Sequence, residues 1–411
     1  MLNRLEMNLA FFDLFTMGGG VPIVEGRLLE GFSIYRKDIK IILYDPFGDI
    51  TDIMQIEKKR IINNKNTFVI NLDFDISIKK IKELSFIKKM ILFIKLIKYS
   101  IVIAKENKRY KVDYIIFGLP KSGLLIYLSK LFYKKPKMVF HFHGVQYLSD
   151  INIFYKLLFK KADIIVPVSE GTKGQLIEMN VQSEKIYVIY NALDYDLKMV
   201  TDKKQLKKRL NLKEEKFIIG YVGNIIRRKG VDLLIKAFAK LKRNPKYNNM
   251  ILIIVGGNPN EENGSYIAEI KEIIKKENLE DSILFLGYRN DAREIMQVFD
   301  IFVMPSRMES FGVAIIEAMS YGVPVIVTNG GSITEIVRNN ENGIVVECEN
   351  YDSIAYAIET LYRNEEKRKK ISINAINDVK ERFSLYNQIN NFSALLLRFM
   401  DDTKSYRRWK K

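Results

Sequence analysis

The sequence predicts an α/β protein with two doubly wound parallel-sheet domains. Runs of consecutive apolar residues, typical of strands buried on both faces, alternate with helical patterns along the chain. The clearest unit is IFVMPSRMESFGVAIIEAMSYGVPVIV at 301–327, where a strand, a polar loop, a helix and a second strand follow one another. A chain of 411 residues with 47% apolar residues is too long for one ordinary core and fits two domains.

The first half of the chain contains one set of predicted strands. They are MNLAFFDLF, IKIILYD, VDYIIFG, MVFHFH, DIIVPVS and KIYVIYN. After the first strand, Met17 to Gly20 predict a tight loop, and VPIVEGRLLEGFSIYR predicts a helix. This strand, loop and helix form the opening βα turn of a doubly wound domain.

The second half contains another set of predicted strands. They are KFIIGYVGN, MILIIVGG, SILFLGY, DIFVMPS, VPVIVTN and GIVVE. A lysine-rich segment, 198–215, separates the two sets, so we place the hinge between Asn191 and Lys204. The predicted domains are therefore 1–195 and 196–385. FSLYNQINNFSALLLRFM predicts a helix for the C-terminal segment, 386–411.

Composition restricts the cellular setting. No stretch of 18 uninterrupted apolar residues occurs, so we expect no membrane-spanning helix. The N-terminal MLNRLEMNLAFFDLF lacks a small-residue cleavage site and is better interpreted as a first strand than as a secretion signal. The single cysteine, Cys348, excludes an internal disulfide framework. These features predict a cytoplasmic protein.

The net charge of +17 is concentrated in part of the first half. Between residues 77 and 111, eleven Lys or Arg stand against two acids, interleaved with large apolar residues. This pattern predicts a basic amphipathic helix that lies on an anionic membrane surface, on the inner face of the plasma membrane. The alternative is a helix packed on its own domain with a solvated basic face. Nucleic acid is not expected as a partner, because no zinc spacing, RNP-like string or arginine cluster accompanies the lysines.

The segment 301–327 also contains the strongest candidate ligand site. Glu309 lies in the polar loop, Ser310, Phe311 and Gly312 lead into the helix at Val313, and Glu317 follows about one turn later. The unpaired N–H groups of a first helical turn suit a phosphate, and glycine lets the ligand approach the backbone. The two carboxylates can accept hydrogen bonds from sugar hydroxyls, one from a hexose and one from a ribose.

Here the chain resembles the retaining, nucleotide-sugar-dependent glycosyltransferases of family 4, over nearly its full length. The resemblance rests on PSRMESFGVAIIEAM, on GGSITEIV followed by NENGIVV, and on VGNIIRRKGVDLLI, VIYNALD and FHFHG. It implies the GT-B architecture, in which two Rossmann-like domains face each other across a cleft and a C-terminal helix crosses back to the first domain. The first domain would bind the acceptor and the second the nucleotide sugar.

The resemblance assigns roles to several residues of the first domain. His143 in FHFHG matches an active-site histidine that contacts a hydroxyl of the transferred sugar, whereas His141 is the weaker candidate of the pair. The two residues share a face because they are two apart on a strand. A metal site would need a third ligand, and none is close in sequence. Gly19 and Gly20 match a loop that reaches the donor phosphates, with a simple strand-to-helix turn as the alternative.

In the second domain the resemblance makes Lys229, together with His143 and Glu309, a catalytic residue. Its ammonium can neutralise the departing diphosphate. The chain differs from the family at Asn224, where an arginine is usual, so either Arg227 or Arg228 replaces that charge, or the phosphate is held less tightly. Glu335 matches a recurring glutamate near the donor, and capping of a following helix is the alternative. The resulting donor set is Gly19, Gly20, Asn224, Arg228, Lys229, Ser310, Phe311, Gly312, Val313 and Glu317.

The expected chemistry is transfer of a hexose, from a UDP-hexose before GDP-mannose, to a saccharide or lipid-linked glycan acceptor in surface polysaccharide synthesis. The resemblance implies retention of configuration by front-face attack, without a metal or a cofactor. Two alternatives remain at the level of sequence. One is a nucleotide-sugar epimerase of the same architecture, and the other is a non-catalytic partner protein that keeps the fold.

Overall fold

The structure is a computed structural model, and it describes residues 7–13, 20–48, 65–72, 85–144, 151–194, 202–257 and 264–408, with side chains as far as residue 400. The chain divides into two compact units. Unit 1 comprises Met1–Ala192 and Leu385–Lys411, and unit 2 comprises Leu193–Ser384. The C-terminal segment therefore belongs to the same unit as the N-terminal half.

Unit 1 is built on a six-stranded parallel sheet. Its strands are β1 (Asn8–Phe12), β2 (Lys40–Asp45), β3 (Thr67–Asn71), β4 (Tyr114–Phe117), β5 (Lys137–Phe142) and β6 (Ile164–Pro167). Their order in the sheet is β3-β2-β1-β4-β5-β6. The order reverses between β1 and β4, and ligands bind beyond the carboxyl ends of the strands at such a point.

Helices cover both faces of this sheet. They are α1 (Gly20–Tyr35), α2 (Phe86–Arg109), α3 (Pro120–Ser129), α4 (Ile153–Lys161), α5 (Glu170–Glu178) and, from the end of the chain, α13 (Leu385–Arg408). Leu9 and Phe11 of β1 join a core with α1 and α13, whereas Ala10 and Phe12 join a second core with α2, α3 and α4. Since successive strand residues face opposite sides, a strand covered on both faces must be apolar throughout.

The C-terminal helix α13 is an integral part of unit 1. Leu385, Ile389, Phe392 and Leu396 are buried in the core that α1 shares with the sheet. The hydroxyl of Tyr114 on β4 donates a 2.7 Å hydrogen bond to the carbonyl oxygen of Leu396. The sequence prediction that the terminal helix crosses back to the first domain is confirmed.

Unit 2 repeats the architecture with its own six-stranded parallel sheet. The strands are β7 (Phe217–Val222), β8 (Met250–Val255), β9 (Ile283–Gly287), β10 (Ile301–Met304), β11 (Val325–Thr328) and β12 (Ile344–Val346). The helices are α6 (Lys203–Arg209), α7 (Val231–Lys242), α8 (Gly264–Lys276), α9 (Ala292–Met296), α10 (Val313–Ser320), α11 (Tyr351–Arg363) and α12 (Glu365–Arg382). The sheet order β12-β11-β10-β7-β8-β9 reverses between β7 and β10.

The predicted fold class, two Rossmann-like parallel sheets, is confirmed, but two elements of unit 1 differ from the sequence prediction. KIYVIYN is not a strand: it contributes a single bridge, Ile186 to Ile165, beside β6. The edge strand β3 was not predicted, because its apolar run, Phe68 to Ile70, is only three residues long and none of its residues is fully buried. Among the described residues, no helix has both the length and the apolar character needed to cross a bilayer.

Candidate active site

In unit 2 the candidate residues lie beyond the carboxyl ends of β7 and β10, where the strand order reverses. Lys229 ends a short 3₁₀ turn, Arg227–Lys229, after β7, and Glu309 lies in the loop after β10. Gly230 fixes the distance between the two loops. Its φ is +69°, and a Cβ there would lie 2.0 Å from the carbonyl oxygen of Pro305, so no other residue fits.

Lys229 and Glu309 form a nearly buried ion pair, with side chains 14% and 10% exposed. The ammonium donates to Oε2 of Glu309, and the Ser306 hydroxyl lies 3.4 Å from the same oxygen. Burial alone would raise the pKa of Glu309, but Lys229 and Arg228 outweigh it and hold that pKa below its ordinary value. The carboxylate is therefore ionised, and a ligand that binds either group must compete with the pair.

The two arginines before Lys229 have different surroundings. Arg228 is oriented toward the Glu309 loop: its Nη1 donates to the carbonyl oxygen of Met308 at 2.8 Å and lies 3.8 Å from Oε1 of Glu309. Arg227 points elsewhere, since it pairs with Glu269 and stacks on the Tyr266 ring. Of the two candidates to replace the missing arginine at Asn224, only Arg228 is placed beside Lys229 and Glu309.

A further arginine, Arg307, connects the two loops and was not singled out from the sequence. Its backbone N–H donates to the carbonyl oxygen of Arg228 at 2.8 Å, and its Nη1 donates to that of Arg227 at 2.7 Å. The guanidinium also makes a bidentate pair with the buried Asp232, at 2.8 and 2.9 Å. Arg307 therefore fixes the turn that carries Lys229 to the loop that carries Glu309.

The glycine pair of GGSITEIV supports the Glu309 loop from the other side. The N–H of Glu309 donates to Gly330, and its carbonyl oxygen accepts from the N–H of Ser332 at 2.8 Å. Glu335 ends the short turn Ser332–Glu335. The suggestion that it caps a following helix is wrong, because the chain passes next into β12.

The loop then enters α10, which carries the second glutamate. Gly312 precedes the helix at Val313, and no side chain from the described part of the chain caps its first turn, where the N–H of Ile315 donates to the carbonyl oxygen of Gly312 at 2.9 Å. Phe311 is buried and packs on Phe383, with ring centroids 5.7 Å apart. Glu317 is nearly buried, and its Oε1 accepts a 2.9 Å hydrogen bond from Nε of Arg293. Burial raises the pKa of Glu317 in spite of that contact.

In unit 1, helix α1 and the end of strand β5 bring Glu25, His141 and His143 together. Nδ1 of His141 lies 2.7 Å, and Nε2 of His143 2.8 Å, from one oxygen, Oε1 of Glu25. The side chains of His141 and Glu25 are 0% and 1% exposed, and that of His143 is 11% exposed. Burial alone would raise the pKa of Glu25, but the two imidazoles lower it to about 2.

This cluster also bears on the metal prediction. Glu25 on α1 is distant from the two histidines in sequence but lies beside them in the structure. The carboxylate oxygen and the two ring nitrogens, each of which could bind a metal, lie within 4.8 Å of one another. However, both ring nitrogens lie at hydrogen-bonding distance from the same oxygen. Two N–H groups donating to one carboxylate account for these contacts without an ion.

The remaining candidates of unit 1 are the glycines before α1. Gly20 is the first residue of α1 and is exposed, and a Cβ added to it would meet no atom within 4 Å. Gly19 lies outside the described residues. The signal that could have identified Glu25 is a carboxylate between the apolar groups Val21–Val24 and Leu28–Leu29 of one helix. Such a residue is seldom buried without a specific partner.

Two family models match the chain. The model described as Glycosyl transferases group 1 matches residues 202–378, within unit 2. The model described as Glycosyltransferase Family 4 matches residues 83–197, mostly within unit 1. Together they include the segments that hold His143, Lys229, Glu309 and Glu317.

Curated relatives extend the similarity over most of the chain. The capsular polysaccharide biosynthesis glycosyltransferase CapM of Staphylococcus aureus is 27% identical over 389 residues, which is 92% of this chain and 94% of CapM. A UDP-Gal:α-D-GlcNAc-diphosphoundecaprenol α-1,3-galactosyltransferase of Escherichia coli is 26% identical over 316 residues, 74% of this chain and 80% of that protein.

Solved structures share the architecture. The crystal structure of Anabaena Alr3699/HepE in complex with UDP-glucose matches with a TM-score of 0.75 at 21% identity, covering 95% of this chain and 100% of that one. At this identity the likeness establishes the shared fold.

Proposed function

The chain belongs to the family 4 glycosyltransferases and has their GT-B fold, and from this premise we propose that it is a retaining hexosyltransferase of surface polysaccharide synthesis. The proposed donor is a nucleotide sugar, a UDP-hexose before GDP-mannose. The proposed acceptor is a saccharide or a lipid-linked glycan. The relatives support these choices, since CapM is named for capsular polysaccharide and the E. coli enzyme for UDP-Gal and a diphosphoundecaprenol-linked acceptor.

The observation that carries the proposal is the nearly buried pair of Lys229 and Glu309, with Arg228 beside it. A lysine fixed in a shielded position gives stronger charge stabilisation than one in water, because little solvent screens it. When the donor binds, its diphosphate takes the place of the Glu309 carboxylate as the partner of the ammonium. Glu309 is then free to accept a hydrogen bond from a hydroxyl of the hexose.

In the proposed reaction the bond between the anomeric carbon and the diphosphate oxygen breaks, and its electron pair stays with the diphosphate. The acceptor hydroxyl attacks the anomeric carbon from the same face, and its proton passes to the departing phosphate oxygen. Configuration is therefore retained without a protein nucleophile. Lys229, Arg228 and the first-turn N–H groups of α10 stabilise the negative charge as it develops.

The other candidate residues hold the donor. Glu317, now bonded to Arg293 at 2.9 Å, is placed on α10 to accept from a ribose hydroxyl. His143 would contact a hydroxyl of the transferred sugar. We assign no divalent ion to the reaction, because the lysine, the arginine and the helix N-terminus supply the positive charge that a metal would otherwise bring.

A two-stage experiment tests the proposal. A panel of UDP-glucose, UDP-galactose, UDP-N-acetylglucosamine and GDP-mannose is first screened by thermal shift, because a ligand that binds only the native state raises its melting temperature. NMR of the reaction with the selected donor and a polyprenyl-diphosphate-linked sugar, in EDTA, then gives the anomeric configuration. We expect a retained product without added metal. A product formed from the donor alone would instead indicate an epimerase, and no turnover with any donor would contradict the proposal.

We also propose that unit 1 binds an anionic membrane surface through α2, which places the enzyme on the cytoplasmic face of the plasma membrane. The N-terminal half of α2 projects large apolar side chains into solvent: Phe86 is 80% exposed and Ile94 60%. At 100° per residue, Phe86, Met90, Phe93, Ile94 and Ile101 fall on one side of the helix. On the same projection Lys89 and Lys98 border this stripe, and Lys88 and Lys95 lie on the opposite side of the helix.

This arrangement argues against the alternative of a helix packed on its own domain along its whole length. The fully buried residues of α2, Ser100, Ile103, Ala104 and Asn107, all lie in its C-terminal half, whereas Leu92 and Leu96 in the N-terminal half pack on the core while only partly buried. Exposed apolar residues bordered by lysines suit a bilayer, in which the apolar stripe enters the acyl boundary while the ammonium groups meet anionic headgroups. Residues 77–84 of the predicted basic segment lie outside the described part of the chain.

A further inference from the structure

Glu25 is a buried carboxylate with no role in the reaction as described above. It lies on α1, while its two imidazole partners lie on and just after β5. Placing a carboxylate in a helix face that is otherwise apolar is unfavourable unless specific partners compensate. The partners here are the only two histidines of the chain.

The geometry determines where the ring protons lie. Glu25 is ionised, since its pKa is held at about 2, so its oxygens can only accept hydrogen bonds. The nitrogens that face it, Nδ1 of His141 and Nε2 of His143, must therefore both carry protons. Burial, and the neighbouring His141, lower the pKa of His143. A neutral imidazole has one N–H, so Nδ1 of His143 is an acceptor.

We propose that Glu25 is a positioning residue: by accepting the Nε2–H of His143, it fixes that ring so that the bare Nδ1 accepts a hydrogen bond from a hydroxyl of the transferred sugar. This inference rests on the proposed function. Without Glu25 the ring could hold its proton on either nitrogen, and in the fraction with a protonated Nδ1 that nitrogen could no longer accept the hydrogen bond of the sugar hydroxyl.

The contact between Glu25 and His143 is closely packed against the end of β4. A Cβ added to Gly118, at the end of β4, would lie 2.9 Å from Oε1 of Glu25 and 3.0 Å from Nε2 of His143. The N–H groups of Gly118 and Leu119 both donate to Asp13 at the end of β1, at 2.7 and 3.0 Å. The ends of β1, β4 and β5 thus hold Glu25 and His143 in one arrangement.

The ring of His141 also has a fixed position beside Glu25. Its ring stands nearly perpendicular to that of Phe392, at 87° and 5.5 Å between centroids. Its Nε2 is buried and has no hydrogen-bond partner among the described residues. A proton on Nε2 would therefore be unsatisfied, which favours a proton on Nδ1 donating to Glu25.

The first test is spectroscopic and needs no substrate. Labelling with ¹⁵N-histidine gives signals from two rings only, and long-range ¹H–¹⁵N spectra distinguish their tautomers. We expect His143 to be protonated on Nε2 and bare on Nδ1 in the wild type, and to populate both tautomers in Glu25→Gln. A wild-type His143 protonated on Nδ1, or stoichiometric Zn²⁺ uptake with loss of both ring protons, would overturn the proposal.

The second test is kinetic, with UDP-glucose as the probe of turnover and UDP as the probe of nucleotide binding. Glu25→Gln should lower kcat about tenfold, the effect of one hydrogen bond made in the transition state, with unchanged UDP affinity. Glu178→Gln, an exposed glutamate on α5, is the matched control and should have no effect. Wild-type kcat in Glu25→Gln would overturn the role of Glu25. A wild type with the expected tautomers but no turnover of any sugar nucleotide would overturn the proposed function, while the fixed tautomer would stand.

Discussion

The carboxyl edges of the two sheets, which share one strand order, hold their polar groups in different ways. In unit 2 the carboxylate of Glu309 pairs with the ammonium of Lys229 in a shielded site, with the guanidinium of Arg228 3.8 Å away, so the three groups together keep one positive charge. In unit 1, one carboxylate, Glu25, orients two imidazoles, and the group left for a ligand is a ring nitrogen of His143. The first edge suits a group that becomes an anion, and the second suits a hydroxyl that stays neutral.

In the proposed transfer reaction the two units therefore have different roles: unit 2 stabilises developing charge, and unit 1 recognises a hydroxyl. Negative charge that develops on a leaving group is stabilised by a fixed positive charge in the site. While no ligand is bound, that buried positive charge needs a negative partner. Glu309 is this partner for Lys229. Recognition of a hydroxyl requires only a correctly oriented acceptor, which buried hydrogen bonds provide without net charge at the point of contact.

Removal of the Lys229 ammonium from unit 2 should have the largest effect, a loss of turnover. We expect Lys229→Ala to lower kcat about 10³-fold, because the charge acts mainly as the diphosphate departs. Steady-state kinetics with the selected sugar nucleotide measure this, and Lys240→Ala, an exposed lysine on α7, is the control. An unchanged kcat with only a raised KM would show that the charged edge binds the donor but does not assist the chemistry.

The next largest effect should be on membrane binding through the basic helix α2 of unit 1. Replacing Lys88, Lys89, Lys95 and Lys98 by glutamine should reduce binding to anionic vesicles about 100-fold, at up to about 1 kcal/mol per lysine. Sedimentation with vesicles of phosphatidylglycerol and phosphatidylcholine measures the bound fraction.

The matched control makes the same charge change in unit 2. It replaces four exposed lysines of α7 and α8, at 240, 271, 275 and 276, by glutamine. If this control releases the protein equally, binding depends on net charge alone and α2 has no special part in it.

The smallest expected effect tests how closely the unit 1 edge is packed. Gly118→Ala places a methyl group 2.9 Å from Oε1 of Glu25, which should lower the unfolding free energy by about 1 kcal/mol and reduce turnover several-fold. UDP binding should not change. Gly174→Ala on α5 is the control, because its Cβ would meet no atom within 4 Å. Equal behaviour of the two variants in chemical denaturation and turnover would show that the edge of unit 1 tolerates rearrangement.

The sequence predicted the two edges to different degrees, for a physical reason. In unit 2 the candidate residues follow their strands within short motifs, so the family resemblance could single out Lys229 and Glu309 as candidates. In unit 1 the partner of the histidines lies more than a hundred residues away on a helix, and only the sheet order brings them together. Arg307 was missed in unit 2 because its partners, Asp232, Glu349 and two backbone carbonyls, carry no motif.

Secondary structure shows the same limit. Strands buried on both faces, such as β4 and β10, give a continuous apolar signal and were found. KIYVIYN gave a similar signal but is not a strand, since an extended segment that packs beside a sheet can be as apolar as a strand inside it. The edge strand β3 is partly exposed, and its alternating burial left no comparable pattern.

The return of α13 to unit 1 has a consequence for biosynthesis. The apolar face formed by α1 and β1 is closed by Leu385, Ile389, Phe392 and Leu396, which leave the ribosome after all of unit 2. The first half to be translated thus cannot complete its own core during synthesis, whereas the second half can. The apolar face of α1 and β1 therefore stays exposed in the nascent chain until α13 has been synthesised, and a chain truncated before α13 would leave that face open to aggregation.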